Sequence, residues 1–468
     1  MMKTKTKIVA TLGPSTTDPK TIAELIKNGL SVARLNMSHG SHDEHRGRIR
    51  ALEQARKMTG IEVATLLDLA GPKIRTGEMD GGEVTLVKGS TVTLVFKPTV
   101  CTPEVLYINY PNLQKELRVG TYVLLDDGKR SLLVTKVNKE TITTKVVIGG
   151  KIRSRRGVNI PGAHLSISAI TAKDRKDLVF GMSEDVDFVA LSFVRNSKDI
   201  HDLRKLLNKA KSSARIVAKI ETPEALADLD AIIEATDAVM VARGDLAIEV
   251  GIEKIPTTQK NIIEKCNSAG KPVIVATQML LSMVESETPS RAEVSDIANA
   301  IYDGADAIML SEETAMGKYP VKAVSVMNRV ASVVEASSTK HKHVRVMRGN
   351  ISDSVSSSVV HNAEEIGAQN IIALTESGFT ARMISRYRSI MPVYAISSSI
   401  KTIRSLMLSY GVFPVHHKGV ETFDEARKVV LDIVKNICKL KKGDHYVIAA
   451  GLKQGKSGST NLMLIEKV

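Results

Sequence analysis

Residues 215–245 read RIVAKIETPEALADLDAIIEATDAVMVARGD. An apolar run, Arg215–Ile220, leads into an amphipathic stretch over Pro223–Ala235, and a second apolar run follows at Ala238–Val241. Runs that are apolar throughout, rather than alternating, are typical of parallel strands covered on both faces. The segment therefore predicts a strand, helix, strand unit of a parallel α/β fold.

The same rhythm extends along the chain on both sides of this unit. Helix-like stretches follow the apolar runs. Examples are one that begins near Asp18, one that ends near Met58 and one over Pro320–Ala336. Eight such units predict a closed (β/α)₈ barrel. An open doubly wound sheet is the alternative, but no Gly-x-Gly-x-x-Gly sequence follows a strand. The predicted strands are Lys5–Thr11, Ser31–Met37, Val63–Leu69, Val186–Ser192, Arg215–Ile220, Ala238–Val241, Val273–Thr277 and Ala307–Ser311.

Two segments depart from this rhythm. Between about Pro72 and Leu165, apolar and polar residues alternate with period two, as in EVTLV at 83–87, which predicts a small all-β insert. After a polar stretch starting near Lys340, a last α/β unit is predicted, with a helix at Ser354–Ile366 and four strands. We therefore expect a barrel domain (1–71 and 166–338), an inserted β domain (72–165) and a C-terminal α/β domain (339–468). The four strands are Ile371–Thr375, Val393–Ile396, Tyr446–Ala450 and Leu462–Ile465.

Composition narrows the classes of function. The chain has 468 residues, 43% of them hydrophobic and 25% charged, which suits packed domains rather than disorder. No apolar run is long enough for a membrane helix, and the first residues lack the apolar core of a signal peptide. Three widely separated cysteines indicate neither a disulfide framework nor a metal site, so a reducing, cytoplasmic location is expected.

A net charge of +14 suits a nucleic acid, an anionic metabolite or an ordinary basic surface. Lysine and arginine are scattered, Trp is missing and aromatic residues make up only 3% of the chain, which argues against stacking on single-stranded nucleic acid. We therefore expect no nucleic-acid partner and no membrane partner.

Polar residues collect at the carboxyl ends of the predicted strands, where barrel enzymes carry their active sites. For any one of these residues a structural salt bridge at the barrel mouth is the commoner explanation, but six strand ends together favour a catalytic site. The residues are Arg34, Asn36, Ser38 and His39 after strand two, Asp68 after strand three, Lys219 and Glu221 after strand five, Arg243, Gly244 and Asp245 after strand six, Thr277 and Gln278 after strand seven, and Ser311 to Thr314 after strand eight.

Two carboxylates from neighbouring strands, Glu221 and Asp245, fit one Mg²⁺ or Mn²⁺ ion, which needs few protein oxygens and leaves positions for a substrate phosphate. Lys219 lies two residues before Glu221 and points to the same face of the strand. Backbone N–H groups at Gly244 suit a carboxylate or phosphate, and an ordinary turn glycine is an equally good explanation. His39 fits a base, a nucleotide contact or a structural role.

Seven motifs in order resemble the pyruvate kinase family, and the resemblance runs from Thr6 to the C-terminus. It implies a phosphotransferase that moves the phosphoryl group of phosphoenolpyruvate to ADP, giving pyruvate and ATP, with the β insert as a small β-barrel lid. The motifs are RLNMSHG (34–40), LLDLAGPKIRT (66–76), GVNIPG (157–162), AKIE (218–221), MVARGDL (240–246), ATQML (276–280) and MLSEET (309–314).

The resemblance also implies roles for individual residues. Glu221 and Asp245 match the ligands of the divalent ion, and Lys219 and Arg34 match contacts of the transferring phosphoryl group. Thr277, with backbone at Gly244 and Asp245, matches the contact of the substrate carboxylate, and Thr277 and Ser311 match residues implicated in protonating the enolate. The nucleotide side is matched by Thr11, Pro14, His39, Arg75 and Arg156.

Lys73 is the most informative departure from the family pattern, because potassium-dependent members carry Glu there. Its ammonium is expected to replace the potassium ion as a built-in cation. Leu69-Ala70, Glu312 and Glu44 also depart, and Glu44 stands where the family often has an aromatic nucleotide contact. The residues matching the potassium ligands are Asn36, Ser38, Asp68 and the carbonyl of Leu69.

Other expectations concern partners. Family members are usually homotetramers with an effector bound to the C-terminal domain, and a phosphate-binding loop is expected at Thr375, Ser377, Gly378 and Thr380. A plain helix cap also explains that loop, and no clear effector loop is recognised near residues 453–460. Rival functions are a barrel enzyme acting on phosphoenolpyruvate or a keto acid without a nucleotide, and a nucleic-acid binder.

Overall fold

The computed structural model describes residues 4–163, 166–337, 350–419, 423–451 and 460–468. Eight parallel strands form a closed barrel, and each pairs with the next strand of its kind around the ring. The predicted (β/α)₈ fold is therefore confirmed. The strands are Lys7–Thr11, Leu30–Asn36, Ala64–Asp68, Phe188–Leu191, Arg215–Ile220, Ala238–Ala242, Val273–Ala276 and Ala307–Leu310.

Helices surround the barrel, and many begin at a side chain that accepts a backbone N–H, as at Asp18, Thr171 and Ser290. Val9, Val217 and Met240 belong to an apolar cluster inside the barrel, while a larger cluster fills the space between strands and helices. The helices of four or more residues are Pro19–Lys27, His42–Thr59, Ala172–Ser183, Ser197–Lys209, Pro223–Ala227, Leu229–Ala235, Arg243–Val250, Ile255–Ala269, Arg291–Asp303, Glu312–Ala315 and Pro320–Ser337.

The helix predicted over Pro223–Ala235 is two helices, so that prediction is wrong in its continuity. The break is at Asp228, whose φ of −103° and ψ of 21° leave helical geometry. The carboxylate of Asp228 accepts the Ser197 N–H at 2.7 Å, and this bond to the neighbouring helix gives the side chain a partner outside its own helix.

The inserted segment contains two sheets around one apolar core that includes Val84, Val92 and Ile152. Its entry and exit strands meet, since Arg75 bridges antiparallel to Gly157. Alternating burial along Thr91–Val95 agrees with the period-two pattern of the sequence. A two-stranded sheet pairs Glu83–Leu86 with Gly150–Arg153, and a six-stranded sheet has the order Val158–Asn159, Tyr122–Leu125, Arg130–Val137, Thr141–Ile148, Thr91–Val95 and Val105–Tyr107; a short helix spans Leu113–Glu116.

The C-terminal segment folds around a five-stranded sheet with helices Ile351–Glu365, Phe379–Ser385, Ile400–Ser405 and Phe423–Asn436. The sequence prediction missed the edge strand Val412–His416, which contains Pro414; proline is tolerated at a sheet edge but is a poor strand indicator. In order, the sheet comprises Val412–His416, Val393–Ser397, Asn370–Leu374, His445–Ala450 and the antiparallel Leu462–Lys467.

The C-terminal segment docks against the amino ends of the barrel strands, opposite the face that carries the polar strand ends. Arg388 donates to both oxygens of Asp306 at 2.8 Å, and Lys7 Nζ donates to the Val412 carbonyl at 2.6 Å. Within the described residues, no helix combines the length and apolar character needed to cross a membrane.

Candidate active site

A polar cavity lies at the carboxyl ends of the barrel strands and encloses about 680 Å³ of empty space up to its open mouth. The closed barrel brings the predicted strand ends together, since parallel strands all present their carboxyl ends on one face. Of the predicted site residues, those in the cavity wall are Arg34, Asn36, Ser38, His39, Asp68, Lys73, Arg75, Lys219, Glu221, Asp245, Thr277 and Ser311.

Lys219 is central to the charged groups of this cavity. Its Nζ lies 3.3 Å from Asp68 Oδ1 and 3.1 Å from Glu221 Oε1. Burial would lower the pKa of Lys219, but Asp68 and Glu221 outweigh that effect and raise the pKa above its ordinary value. The folded protein therefore holds a permanent ammonium at the mouth of the barrel.

Asp68 links the third strand to Arg34 on the second. Arg34 Nε donates to Asp68 Oδ2 at 2.7 Å, and Arg34 Nη1 donates to Thr11 Oγ1 at 2.8 Å. Burial alone would raise the pKa of Asp68, but Lys219 and Arg34 lower it below its ordinary value. Thr11 is buried behind Arg34 and orients it, and its own hydroxyl donates to the Leu310 carbonyl.

The end of the fourth strand supplies two contacts that the sequence analysis missed. Ser192 Oγ accepts a hydrogen bond from Lys219 Nζ at 2.7 Å and donates to the Leu69 carbonyl at 2.7 Å. The backbone N–H of Phe193 donates to Glu221 Oε2 at 2.7 Å. A check of every strand end would have found both, because residues 192–193 directly follow Leu191.

Glu221 and Asp245 form the oxygen pair that fits a divalent ion. Burial raises the pKa of Glu221, and the negative charge of Asp245 adds to that rise. Asp245 lines the cavity and makes no hydrogen bond or ion pair with the part of the chain that the structure describes. A cation at this position would relieve the repulsion between the two carboxylates, so the residues present suit the ion.

The protein offers few ligands for that ion. Among the described residues, no group of three or more His, Cys, Asp or Glu side chains is placed to hold a metal. A magnesium ion bound by one or two carboxylates keeps its other positions for water and substrate phosphate. Two carboxylates would therefore suit an ion that shares its coordination with water and substrate, rather than a closed structural site.

Thr277 and Gln278 form a left-handed turn at the end of the seventh strand, with φ of 73° and 55°. Positive φ is unusual for any residue with a Cβ and especially for a β-branched one. The Arg243 guanidinium donates from Nε to the Ala276 carbonyl at 3.1 Å and from Nη2 to the Thr277 carbonyl at 2.6 Å. Gly244 opens the adjoining helix beside Thr277, where a Cβ would lie 3.7 Å from Thr277 Cγ2.

Ser311, at the end of the eighth strand, is fixed by the carboxylate of Glu313. Glu313 Oε2 accepts the Ser311 N–H at 2.6 Å, and Oε1 accepts the Leu280 N–H at 3.1 Å. One carboxylate therefore joins the ends of the seventh and eighth strands. The neighbouring Glu312 is exposed, and its negative charge acts to raise the pKa of His39. Burial and nearby cations outweigh this effect.

The residues predicted for the nucleotide side divide into two sets. His39 and Arg75 line the cavity, and burial, followed by the charges of Arg75 and Lys73, lowers the pKa of His39 below its ordinary value. Arg156 lies on the exit segment of the insert, 3.5 Å from Asp126, and Pro14 is exposed in a short 3₁₀ helix. Neither Arg156 nor Pro14 lines the cavity.

Lys73 shares the cavity wall with Asn36, Ser38 and Asp68, as the sequence suggested. Asp68 is paired with Arg34 and Lys219, and Lys73 forms no ion pair with it within the described part of the chain. The Leu69 carbonyl, a predicted cation ligand, already accepts the Ser192 hydroxyl. The ammonium of Lys73 is thus available to the cavity.

The structure also shows the surroundings of Glu44 and of the loop predicted to bind phosphate in the C-terminal domain. Glu44 completes a capping box, since Ser41 N–H donates to Glu44 Oε2 at 2.6 Å, so this side chain serves the start of a helix. In the C-terminal domain, Gly378 precedes the helix Phe379–Ser385 with φ 77°, and Thr380 Oγ1 lies 2.7 Å from Thr460 Oγ1. The segment 453–459, considered for an effector loop, lies outside the described residues.

Comparison with known proteins gives a consistent result. The family model "Pyruvate kinase, barrel domain" matches residues 3–324, and "Pyruvate kinase, alpha/beta domain" matches residues 353–466. A pyruvate kinase from Geobacillus stearothermophilus is 43% identical over 100% of this chain and 81% of its own length. Pyruvate kinase 2 of Synechocystis is 42% identical over 99% of this chain and 79% of its own length.

A solved structure extends this likeness to three dimensions. The crystal structure of a pyruvate kinase from Cryptosporidium parvum superimposes with a TM-score of 0.93 at 35% sequence identity, covering 99% of this chain and 96% of that one. The two family models, the relatives that match this chain over its full length, and the matching fold all indicate the same family. The chain therefore belongs to the pyruvate kinase family and is a phosphotransferase of that family.

Proposed function

We propose that the protein transfers the phosphoryl group of phosphoenolpyruvate to ADP, giving pyruvate and ATP, and that it requires a divalent ion but no potassium. The observation that carries the reaction is the group formed by Lys219, Arg34 and the carboxylates of Asp68 and Glu221 in one cavity. Phosphoryl transfer needs positioned positive charge around the moving group more than it needs covalent chemistry.

In the proposed reaction the bond between phosphorus and the enol oxygen breaks, and a bond to the terminal oxygen of ADP forms. Negative charge develops on the enolate and on the phosphoryl oxygens, where the ammonium of Lys219 and the guanidinium of Arg34 stabilise it. The enolate carbon then takes a proton to give pyruvate, with Thr277 and Ser311 as the nearby hydroxyls, acting through water.

Glu221 and Asp245 would hold Mg²⁺ or Mn²⁺, which supplies charge neutralisation for phosphate oxygens when bound. Asp68 keeps Lys219 and Arg34 in place, because its carboxylate contacts both side chains. Gly244 and the backbone at Asp245 would receive the substrate carboxylate beside Thr277. His39 and Arg75, which line the cavity, are proposed for ADP. Arg156, Thr11 and Pro14 are proposed for ADP on the family resemblance alone.

Independence from potassium rests on Lys73. Its ammonium occupies the cavity wall that also holds Asn36, Ser38 and Asp68, and it has no carboxylate partner in the described part of the chain. A monovalent cation bound there would be repelled by this fixed charge. Because the ammonium of Lys73 is tethered to the chain, placing it at the cation site costs less entropy than binding a free ion would.

A coupled assay tests the reaction. Pyruvate release should require both ADP and phosphoenolpyruvate; pyruvate released without ADP would support the rival barrel enzyme. Binding to DNA or RNA that weakens steeply with salt, with no turnover, would support the nucleic-acid binder.

A potassium titration at constant ionic strength tests the cation requirement. The parent rate should not change between sodium and potassium salts, whereas Lys73→Glu should be slow in sodium and partly recover in potassium. Lys129→Glu, in the same insert, is the matched control and should not respond. Strong activation of the parent by potassium would contradict the proposal.

Assembly and location are also proposed. The family resemblance supports a homotetramer, which light scattering on the purified protein would test. A cytoplasmic location is proposed from the sequence, in which three widely separated cysteines indicate no disulfide framework. The loop of Thr375, Ser377, Gly378 and Thr380 is proposed for an effector, to be tested by screening phosphosugars and nucleotides against activity.

A further inference from the structure

The conformation of Thr277 is costly to the chain, and hydrogen bonds from side chains hold it. Thr277 and Gln278 both have positive φ, and a single left-handed residue with a branched Cβ is already uncommon. Strained backbone persists where the surrounding structure determines it more strongly than the local preference does.

The Arg243 side chain makes the contacts that hold this turn. Its guanidinium donates to the carbonyls of Ala276 and Thr277, which are consecutive in the turn, and its Nη2 lies 2.8 Å from Met279 Sδ. Three contacts on residues 276–279 span the left-handed part. A planar guanidinium offers several donors in a fixed geometry, which an ammonium does not.

Arg243 is itself anchored from the opposite side. Its Nη1 donates to Asp296 Oδ1 at 2.7 Å, and Asp296 belongs to the helix Arg291–Asp303. The Arg243 side chain is 13% exposed and the Asp296 side chain 35% exposed, so this charge-assisted bond is only partly shielded from water. Beyond the turn, the Leu280 N–H is fixed by Glu313, so both flanks of residues 277–279 are held.

We propose that Arg243 is a positioning residue, anchored by Asp296, that holds the 276–279 turn in the left-handed conformation that presents Thr277 to the cavity. Arg243 acts through Thr277 and is the first residue of the helix that also carries Gly244 and Asp245. The inference rests on the proposed function, because that function gives the Thr277 hydroxyl its task.

Arg243→Lys keeps a positive charge for Asp296 but cannot reach all the acceptors of the turn. A reacting group that is misplaced by up to about an ångström lowers the rate by about tenfold or more. We therefore expect kcat of Arg243→Lys to fall by about that factor, while its KM for ADP stays within about twofold of the parent value. Arg56→Lys is the matched control. It is also buried and donates to a backbone carbonyl, that of Val63, but far from the cavity, and kcat should be unchanged.

A double-mutant comparison separates positioning from general stability. In a Thr277→Ala background, Arg243→Lys should cause little further loss of kcat, because the hydroxyl that it places is gone. Equal fold-losses of kcat in both backgrounds, or a normal kcat in Arg243→Lys, would overturn the inference.

Asp296→Asn provides a second route if Arg243→Lys does not fold. Asp296→Asn leaves the guanidinium of Arg243 but removes its charged anchor, so kcat should fall by a smaller factor than in Arg243→Lys. In the Thr277→Ala background this loss should disappear. Asp296→Glu should recover part of the lost kcat. A loss that persists beside Thr277→Ala would overturn the inference. Turnover by the parent tests the proposed function, and the ratios between variants test the role of Arg243, so the two failures are distinguishable.

Discussion

At the scale of single residues, the site is a balance of buried charges. Lys219 stands between Asp68 and Glu221, and Arg34 adds a second cation to Asp68. Two cations and two carboxylates in a buried cluster neutralise one another, which limits the cost of burying each charge. Asp245 and an anionic substrate would add negative charge to this cluster, and a divalent ion would rebalance it.

Lys219→Met should abolish most turnover while phosphoenolpyruvate still binds. The ammonium stabilises charge that develops in the transition state, so the loss should appear in kcat and amount to several kcal/mol, on the order of 3. Steady-state kinetics and a direct measurement of substrate binding give the two quantities. Lys265→Met, which removes only a surface pair to Asp230, is the control. A raised KM at normal kcat would contradict this role.

Glu221→Gln and Asp245→Asn should each weaken Mn²⁺ binding by about tenfold or more, since each removes the charge of one of the two carboxylates proposed to hold the ion. Electron paramagnetic resonance of free Mn²⁺ reads the affinity without needing turnover. Asp230→Asn, on an exposed helix, should bind the ion like the parent. Unchanged Mn²⁺ affinity in both site variants would refute the assignment.

Single residues also mark how far sequence reasoning reaches. Lys219, Glu221 and Asp245 were predictable, because strand ends in a barrel face one cavity whatever the details of packing. Ser192 and Arg243 were not assigned a role: a serine hydroxyl and an arginine are common in any sequence, and their importance depends on which acceptors lie within about 3 Å. The sequence analysis noted Glu44 only as a departure from the family pattern, and its capping box with Ser41 was overlooked.

At the scale of elements, the exit strand of the insert rests on the helix that carries Asp245. Asn159 Nδ2 donates to Glu249 Oε1 at 3.2 Å, and Glu249 lies one turn after Asp245 in the helix Arg243–Val250. Burial, with smaller contributions from Glu224 and Asp245, raises the pKa of Glu249 to about 7. This contact joins the insert to the helix that carries Asp245.

The raised pKa of Glu249 gives a pH-dependent stability. The folded state holds the proton up to about pH 7 and the unfolded chain releases it near its ordinary value of 4.5, so this group makes the protein less stable as pH rises across that interval. The effect is on the order of 3 kcal/mol. Glu249→Gln should remove this part of the decline, measured as melting temperature between pH 4.5 and 8. The exposed Glu253→Gln is the control, and a slope identical to the parent's in Glu249→Gln would contradict the prediction.

Element boundaries show why the remaining errors arose. The parallel strands were predicted to within one or two residues because continuous apolar runs end abruptly at polar strand ends. Val412–His416 was missed because an edge strand needs less apolar sequence and tolerates Pro414. The break at Asp228 depends on a hydrogen bond to Ser197, which is distant in sequence and invisible to periodicity.

At the scale of the whole molecule, a buried ion pair joins the C-terminal domain to the barrel. Asp306, at the start of the eighth barrel strand, accepts from Arg388 and from the backbone N–H groups of Val273 and Tyr410. One carboxylate therefore connects two barrel strands with the C-terminal domain.

Arg388→Met should leave Asp306 with a buried charge that lacks its cation, which costs about 3–5 kcal/mol when one partner of a buried pair is removed. Calorimetry should show the C-terminal domain melting separately from the barrel, or both melting earlier. Arg329→Met, at a surface helix where the guanidinium contacts Ser325, is the control. A melting profile like that of the parent would contradict the prediction.

The meeting of entry and exit strands in the insert has a consequence for synthesis of the chain. Thr65 and Asp187, hydrogen-bonded neighbours in the barrel, are separated by 122 residues, and closing so long a loop is entropically unfavourable. An insert folded on its own places its two ends side by side, as the Arg75–Gly157 bridge does, and shortens that loop. As the polypeptide leaves the ribosome, we expect the insert to fold before the third and fourth strands of the barrel can join.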